Sequence, residues 1–232
     1  MRADRRRWLW IAAAIVIVVA AAAWWWFQQR QPAPVTVEPE AEVPAAPARP
    51  APVAYEFDWR DGAVRGIDLP SHIRIPGRDL RLPLYPVGDM RSEAGENKLD
   101  FLRRVRRTLA SYSDRQTYEA CAEICTDGET YSVRITSTAA VLFCAVAPVC
   151  MEGQHSTNEA IHSHCPHRFG LRTSKADEAL SGGMYHSGGP FGRCDTEHFS
   201  ATDFAAGRSG WLAGRRALYW QDGPDNVKRY PR

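Results

Sequence analysis

Twenty consecutive apolar residues, Trp8 to Phe27, follow the arginines Arg2, Arg5, Arg6 and Arg7. A helix of that length is about 30 Å long, the thickness of a hydrocarbon core. Apolar all round, it has no face for water, and the expectation is a transmembrane helix. Trp8 and Trp10 at one end and Trp24, Trp25 and Trp26 at the other suit the two headgroup interfaces. Ala20 to Ala23 offer the small residues of a cleaved signal peptide, but the length of the run and the tryptophans favour a retained anchor. Arginines stay in the cytoplasm. The expectation is therefore a single-pass protein of a bacterial inner membrane, N-terminus cytoplasmic, with everything after Phe27 periplasmic or otherwise extracytoplasmic.

That placement organises the rest of the chain. Residues 1–30 are expected to form the arginine cluster and anchor. In residues 31–54 the seven prolines Pro32, Pro34, Pro39, Pro44, Pro47, Pro50 and Pro52 exclude helix and sheet. They favour an extended linker reaching roughly 70 Å. Residues 55–232 are long enough for one domain with its own core. All six cysteines (Cys121, Cys125, Cys144, Cys150, Cys165, Cys194) fall inside it, which suits disulfides outside the cytoplasm. The formal net charge of +2 gives no signal for an acidic partner such as nucleic acid.

Prolines at 70, 76, 83 and 86 punctuate residues 55–97, which read as an irregular extension with one or two short strands. The first helix is expected from Lys98 to Ser111, capped by Asn97, with Leu99, Leu102, Val105, Leu109 and Tyr112 as its apolar stripe. Arg103, Arg104, Arg106 and Arg107 lie mostly off the stripe and read as a solvated face, with phosphate binding as the alternative. Thr117–Thr126 reads as a strand, Asp127-Gly128 as a turn, and Tyr131, Val133 and Ile135 as the buried positions of a second strand. Ala139 to Val149, nearly all apolar, reads as a strand buried on both faces. Glu159–His164 reads as a further strand, Lys175–Leu180 as a short helix in a Gly-rich loop, and residues 211–220 as a hairpin. This order of elements gives an α+β fold with a mixed sheet.

The chemistry concentrates in His162-Ser163-His164. Histidines at i and i+2 on an extended segment present their rings to one side. They can share a metal ion, with a carboxylate from elsewhere as third ligand and an open position for water. Glu119 upstream can serve as a base outside the ligand set, and Ser200-Ala201-Thr202-Asp203 downstream supplies the carboxylate.

The ordered set Glu119, His162-Ser163-His164, Ser200-x-x-Asp203 resembles the JAMM (JAB/MPN-type) zinc metalloprotease superfamily, in a bacterial branch of poorly defined substrate. The resemblance covers roughly Leu99 to Gln221 and implies an α-β-α sandwich around a mixed sheet. It also implies Zn2+ held by His162, His164 and Asp203. Glu119 would take the proton of the attacking water and pass it to the leaving amine. Ser200 would hydrogen-bond the oxyanion of the tetrahedral intermediate.

The chain departs from that pattern in three places. Cys165 stands where the family has proline, with Pro166 one residue late, and Ala122 stands for a glycine. Ser200 follows His164 by 36 residues, far more than usual, which implies an insertion at about residues 165–196 on the rim of the site. A nearer Ser174-x-x-Asp177 reads as a helix capping box instead, because a Gly-rich loop follows it, whereas a strand follows Asp203. Cys165 could be a further zinc ligand, but its side chain should point away from those of its neighbours. A disulfide to Cys194, which closes the insertion, is preferred. His167 and His198 are expected to line the site.

The leading expectation is a membrane-anchored zinc peptidase or isopeptidase acting on a peptide or protein, with a peptidoglycan stem peptide as one candidate substrate. The alternative is a catalytically inactive JAB/MPN-like binding or scaffold module of the cell envelope.

Overall fold

The helix that starts at Lys98 runs on to Gln116 (α1), past the expected end at Ser111. Asn97 caps it by accepting from the Asp100 N–H, as its sequence position suggested. Its last turn carries Ser113, whose side chain is held by a strand and not by the apolar stripe, so periodicity alone stopped short of it. Thr117 ends the helix in the left-handed region, at φ 70°. The computed structural model describes residues 56–58, 69–74 and 80–231, all within the unit Arg49–Arg232. Among these residues no helix is long and apolar enough to cross a membrane. The expected anchor and linker lie outside the described residues.

The strands are β1 (Glu56–Asp58), β2 (His72–Arg74), β3 (Arg81–Pro83), β4 (Tyr85–Arg91), β5 (Cys121–Thr126), β6 (Tyr131–Ser137), β7 (His155–His162), β8 (Leu171–Arg172), β9 (Pro190–Phe191), β10 (Gly210–Ala213), β11 (Ala217–Gln221) and β12 (Val227–Pro231). Two short helices join them, α2 (Lys175–Leu180) and α3 (Ala201–Ala205). Seven strands make one sheet in the order β12-β11-β10-β7-β5-β6-β4, antiparallel throughout except for the β7–β10 pair. The fold is α+β with a mixed sheet. β1, β2 and β3 pair separately, so the segment expected to hold one or two strands contributes four.

Period-two alternation sorts the sheet residues. Ala122, Ile124, Val133, Ile135, Ile161, Trp211, Ala213 and Leu218 meet Phe101, Leu102, Val105 and Leu109 of α1 in one core. Each such large side chain, when fully buried, contributes about 1.5–3 kcal/mol. The alternate positions of β5 put Cys121 and Cys125 on the opposite face, where they bridge to Cys144 and Cys150. A single carboxylate ties several of these elements together. Glu159 on β7 accepts from Lys98 and from the indole N–H groups of Trp211 and Trp220, at 3.2 and 3.1 Å for the two indoles.

Ala139 to Val149 is not a strand. Ala139 adopts φ 56°, and the segment runs as irregular chain held by disulfides from β5 at Cys144, in its middle, and at Cys150, just past its end. Its apolar residues earn their burial by covering a second cluster, with Ile73, Leu82, Leu84, Ala176 and Ala179. Its backbone donors find no ladder. The fully buried carboxylate of Asp177 takes the N–H of Val141 at 3.0 Å and of Leu142 at 2.7 Å.

The residues between Cys165 and Cys194 are more ordered than the loop expected there. The two cysteines pair across its neck, β8 and β9 pair within it, and α2 carries Asp177. All six cysteines are bridged.

Ser174-x-x-Asp177 is the expected capping box. The same carboxylate also pins the 139–149 segment, so its removal reaches well beyond a helix cap. Asp177→Ala strands three N–H groups, those of Val141, Leu142 and Ser174. At about 1–3 kcal/mol for a buried unpaired donor, denaturant unfolding should show a loss of at least about 3 kcal/mol. A loss near 1 kcal/mol would mean that the cap alone matters.

Candidate metal centre

The pairing of β5 with β7 sets the site. Cys121 lies opposite His162, the last residue of β7, and the ladder continues one step further as Ser163 N–H donates to Ala120 O at 2.9 Å. Antiparallel counting then sets Glu119 against His164. Ser163, between the two histidines, points the other way and is buried. Its hydroxyl accepts from Ser113 Oγ at 2.7 Å and from the Ala120 N–H at 3.0 Å. The central serine thus anchors the strand end to α1, and both imidazoles project from the opposite side.

The β7–β10 pair is parallel, so the chain must cross over between them. That crossover contains the disulfide-closed insertion and then α3, whose N-cap is Ser200 and whose N3 residue is Asp203. Asp203 Oδ1 lies 3.1 Å from His162 Nε2 and Oδ2 lies 3.2 Å from His164 Nε2. The two Nε2 atoms are 3.2 Å apart. His162, His164 and Asp203 could hold a metal ion together. Ligands about 2.0–2.1 Å from a tetrahedral centre lie about 3.3 Å from one another, which is the separation of the two Nε2 atoms and of each from one oxygen of the Asp203 carboxylate. Two imidazoles and a carboxylate also form a donor set that suits a borderline divalent cation.

His164 Nδ1 lies 2.6 Å from the carbonyl oxygen of Asp195. Donating a proton there leaves Nε2 as the free ligand atom facing Asp203. Asp195 directly follows Cys194, and Cys165 directly follows His164, so one disulfide spans both ends of this contact. His167 Nδ1 sits 3.1 Å from Cys194 O and His198 Nδ1 sits 2.8 Å from Asp195 Oδ2. These two histidines brace the segment that orients His164. The ring of His162 rests against Phe199. On the far side of α3, Arg208 Nη1 donates to the buried Glu123 at 2.8 Å, and Gln221 holds the Arg208 carbonyl. These contacts fix the connector between Asp203 and β10. Composition and spacing offered no signal for Ser113, Asp195 or the Glu123–Arg208 pair, since each works through a partner remote in sequence.

Ser200 and Asp203 form a capping box just as Ser174 and Asp177 do. The Ser200 hydroxyl donates to Asp203 Oδ2 at 2.8 Å, and the Ser200 N–H donates to the same atom at 2.6 Å. The two aspartates differ in what else they face. Asp177 faces backbone N–H groups and Asp203 faces two imidazoles.

The charges are strongly coupled. Burial pushes the Glu119 carboxyl up, to about 8, against the pull of the His164 charge. Burial opposes a charge on His164, but the hydrogen bond to Asp203 and the Glu119 charge override it and lift His164 to about 9. Burial also works against the Asp203 carboxylate, and the charges and hydrogen bonds of His162 and His164 hold it far below the usual range. The positive charge of a bound cation would draw Glu119 down towards neutrality.

The chain matches no protein-family model, no curated protein and no solved structure.

Metal binding and stability should both report this geometry. Full-length protein should bind about one divalent metal ion, with His162→Ala and Asp203→Ala each losing it and Asp177→Ala keeping it, as read by metal analysis. Equal metal retention by Asp203→Ala would place the third ligand elsewhere. Chelated protein should lose stability as pH rises from about 6 to 9. His164 binds its proton more tightly folded (about 9) than unfolded (6.5), so its contribution is full below 6.5 and gone above 9. Glu119, raised from 4.5 to about 8, acts in the same direction, while Asp203 stays ionised throughout. A bound cation would compete with the ligand protons, so the loaded protein should resist this loss. A chelated melting temperature that climbs with pH would contradict the assignment.

Proposed function

We propose that this chain is a membrane-anchored zinc peptidase or isopeptidase, hydrolysing an amide bond on a JAB/MPN-like α-β-α scaffold. One observation carries the reading. The convergence of His162, His164 and Asp203 at separations of 3.1–3.2 Å is accompanied by a buried acid, Glu119, that arrives from the segment leading into β5. Zinc held by His162, His164 and Asp203 would supply Lewis acidity for water and for a carbonyl.

The residues of the chain do the rest. Glu119, raised towards neutrality by burial, can take a proton from the attacking water and return it to the leaving amine. It feels the charges of His164 and Asp203, so its proton affinity is tuned by the same groups that would hold the metal. Ser200 turns its hydroxyl onto Asp203 in the resting arrangement. Re-aimed at a substrate carbonyl, it donates a hydrogen bond to the oxygen that gains charge, while the Ser200 N–H keeps Asp203 in place. Asp195 and the Cys165–Cys194 bridge keep His164 in the orientation that presents Nε2.

Glu119→Gln tests the mechanism. An amide of the same size cannot accept the proton, so zinc content should stay near one equivalent. Cleavage of a peptide library or of peptidoglycan stem peptides, followed by mass spectrometry, should fall by about 10²–10⁴-fold. Zinc-loaded protein that cleaves neither substrate class would favour the inactive binding module.

A further inference from the structure

Arg106, expected on a solvated face of α1, is buried and donates through Nη1 to the carbonyls of Gly214 and Arg215, at 2.8 and 2.9 Å. The helix thereby fixes the turn between β10 and β11. That hairpin in turn holds a segment next to the metal centre, through Glu197. Glu197 Oε1 accepts from the Arg216 N–H at 2.8 Å and Oε2 accepts from the Tyr219 hydroxyl at 2.7 Å. Gly214 permits the close approach. A Cβ there would stand 3.0 Å from the Thr196 carbonyl oxygen, 2.8 Å from that of Ala217 and 2.7 Å from the Tyr219 ring.

Glu197 is outside the set His162, His164 and Asp203, yet the chain on both sides of it touches that set. On one side, the Asp195 carbonyl takes the His164 Nδ1–H at 2.6 Å. A tight turn transmits the hold, because the Glu197 N–H donates to Asp195 Oδ1 at 2.9 Å. On the other side, Phe199 packs on Leu212, Ala217 and Tyr219, and its ring centre lies 6.1 Å from that of His162. The Cys165–Cys194 bridge fixes this segment one residue before Asp195. Glu197 fixes it two residues after, with a carboxylate whose two bonds are charge-assisted.

We propose that Glu197 is a positioning residue of the metal centre. By tying residues 195–199 to the β10–β11 hairpin, it holds the Asp195 carbonyl that orients His164. The inference rests on the reading of His162, His164 and Asp203 as metal ligands. Groups that orient a ligand in this way commonly govern metal affinity by about 10–100-fold.

Two measurements on full-length protein test it. One is zinc affinity, by competition with a chromophoric chelator. The other is the proton NMR signal of the hydrogen-bonded His164 Nδ1–H in metal-free protein, assigned by its absence in His164→Ala. Glu197→Ala should bind zinc about 10–100-fold more weakly and lose or shift the ring signal. Glu197→Gln should restore both, since its amide oxygen can accept from Arg216 and its NH2 can donate to the Tyr219 oxygen. Tyr219→Phe, which removes one of the two bonds, should lose about two- to tenfold and serves if Glu197→Ala does not fold. Asp177→Ala, destabilised elsewhere, should keep both readouts. Zinc affinity within about twofold of the unaltered protein, an unmoved ring signal, or equal losses in Asp177→Ala would overturn the proposal. If the unaltered protein binds no zinc, the metal reading fails, and the ring signal alone decides whether Glu197 positions His164.

Discussion

The antiparallel pairing of β5 with β7 places the candidate site, because His162 is the last paired residue of β7 and His164 and Glu119 lie just beyond the paired residues. With Cys121 opposite His162, the start of one strand and the end of the other must lie side by side. A slip of one residue would turn both imidazoles into the α1 core and bring Ser163 to the surface. Three independent restraints oppose that slip. The α1 core holds Ala122, Ile124 and Ile161 from one side, and the Cys121–Cys144 and Cys125–Cys150 bridges hold β5 from the other. Ser163 closes the strand end by a buried hydrogen bond to Ser113.

The two S-x-x-D segments show how little a local motif decides by itself. Both fold as capping boxes with the same internal bonds. Asp177 lands under the 139–149 segment and supplies the acceptors that this irregular chain lacks. Asp203 lands beside the end of β7, because the parallel β7–β10 pair requires the returning chain to pass there. The difference lies in topology. Helix capping in both cases orients a carboxylate whose remaining lone pairs are free for a longer-range partner, and the partner gives each aspartate its role.

Charge is distributed through this domain with few loose ends among the described residues. Glu159 joins β7 to Lys98 and two tryptophans, and Glu123 joins β5 to Arg208. Arg106 is spent on the carbonyls of the β10–β11 turn. Buried ions satisfied in this way restrict which arrangement of elements is allowed. One place breaks the pattern. Glu119 is buried beside the imidazole of His164 and the carboxylate of Asp203. Groups left in such surroundings are candidates for work with a ligand or a proton.

The helix start at Asn97, the Asp127-Gly128 turn, the alternation in β6, the α2 cap and the β10–β11 hairpin were all legible in the sequence. Each is written in residues a few positions apart, where backbone geometry dictates the spacing. The histidine pair was legible for the same reason, since i and i+2 share a face of any extended segment. The apolar run from Ala139 to Val149 misled, because burial and strand share one composition and only the disulfides and Asp177 distinguish them here. Arg106 was read as solvated, although a carbonyl pair 108 and 109 residues away draws it inside. The sequence by itself determined the elements and the chemical types that could form a metal centre. The tertiary structure decided which aspartate meets the histidines and which serves the backbone, which acid is buried beside them, and what holds His164 in orientation. Those choices depend on strand register and chain crossing, which bring together groups separated by tens of residues and leave no periodic mark in the chain.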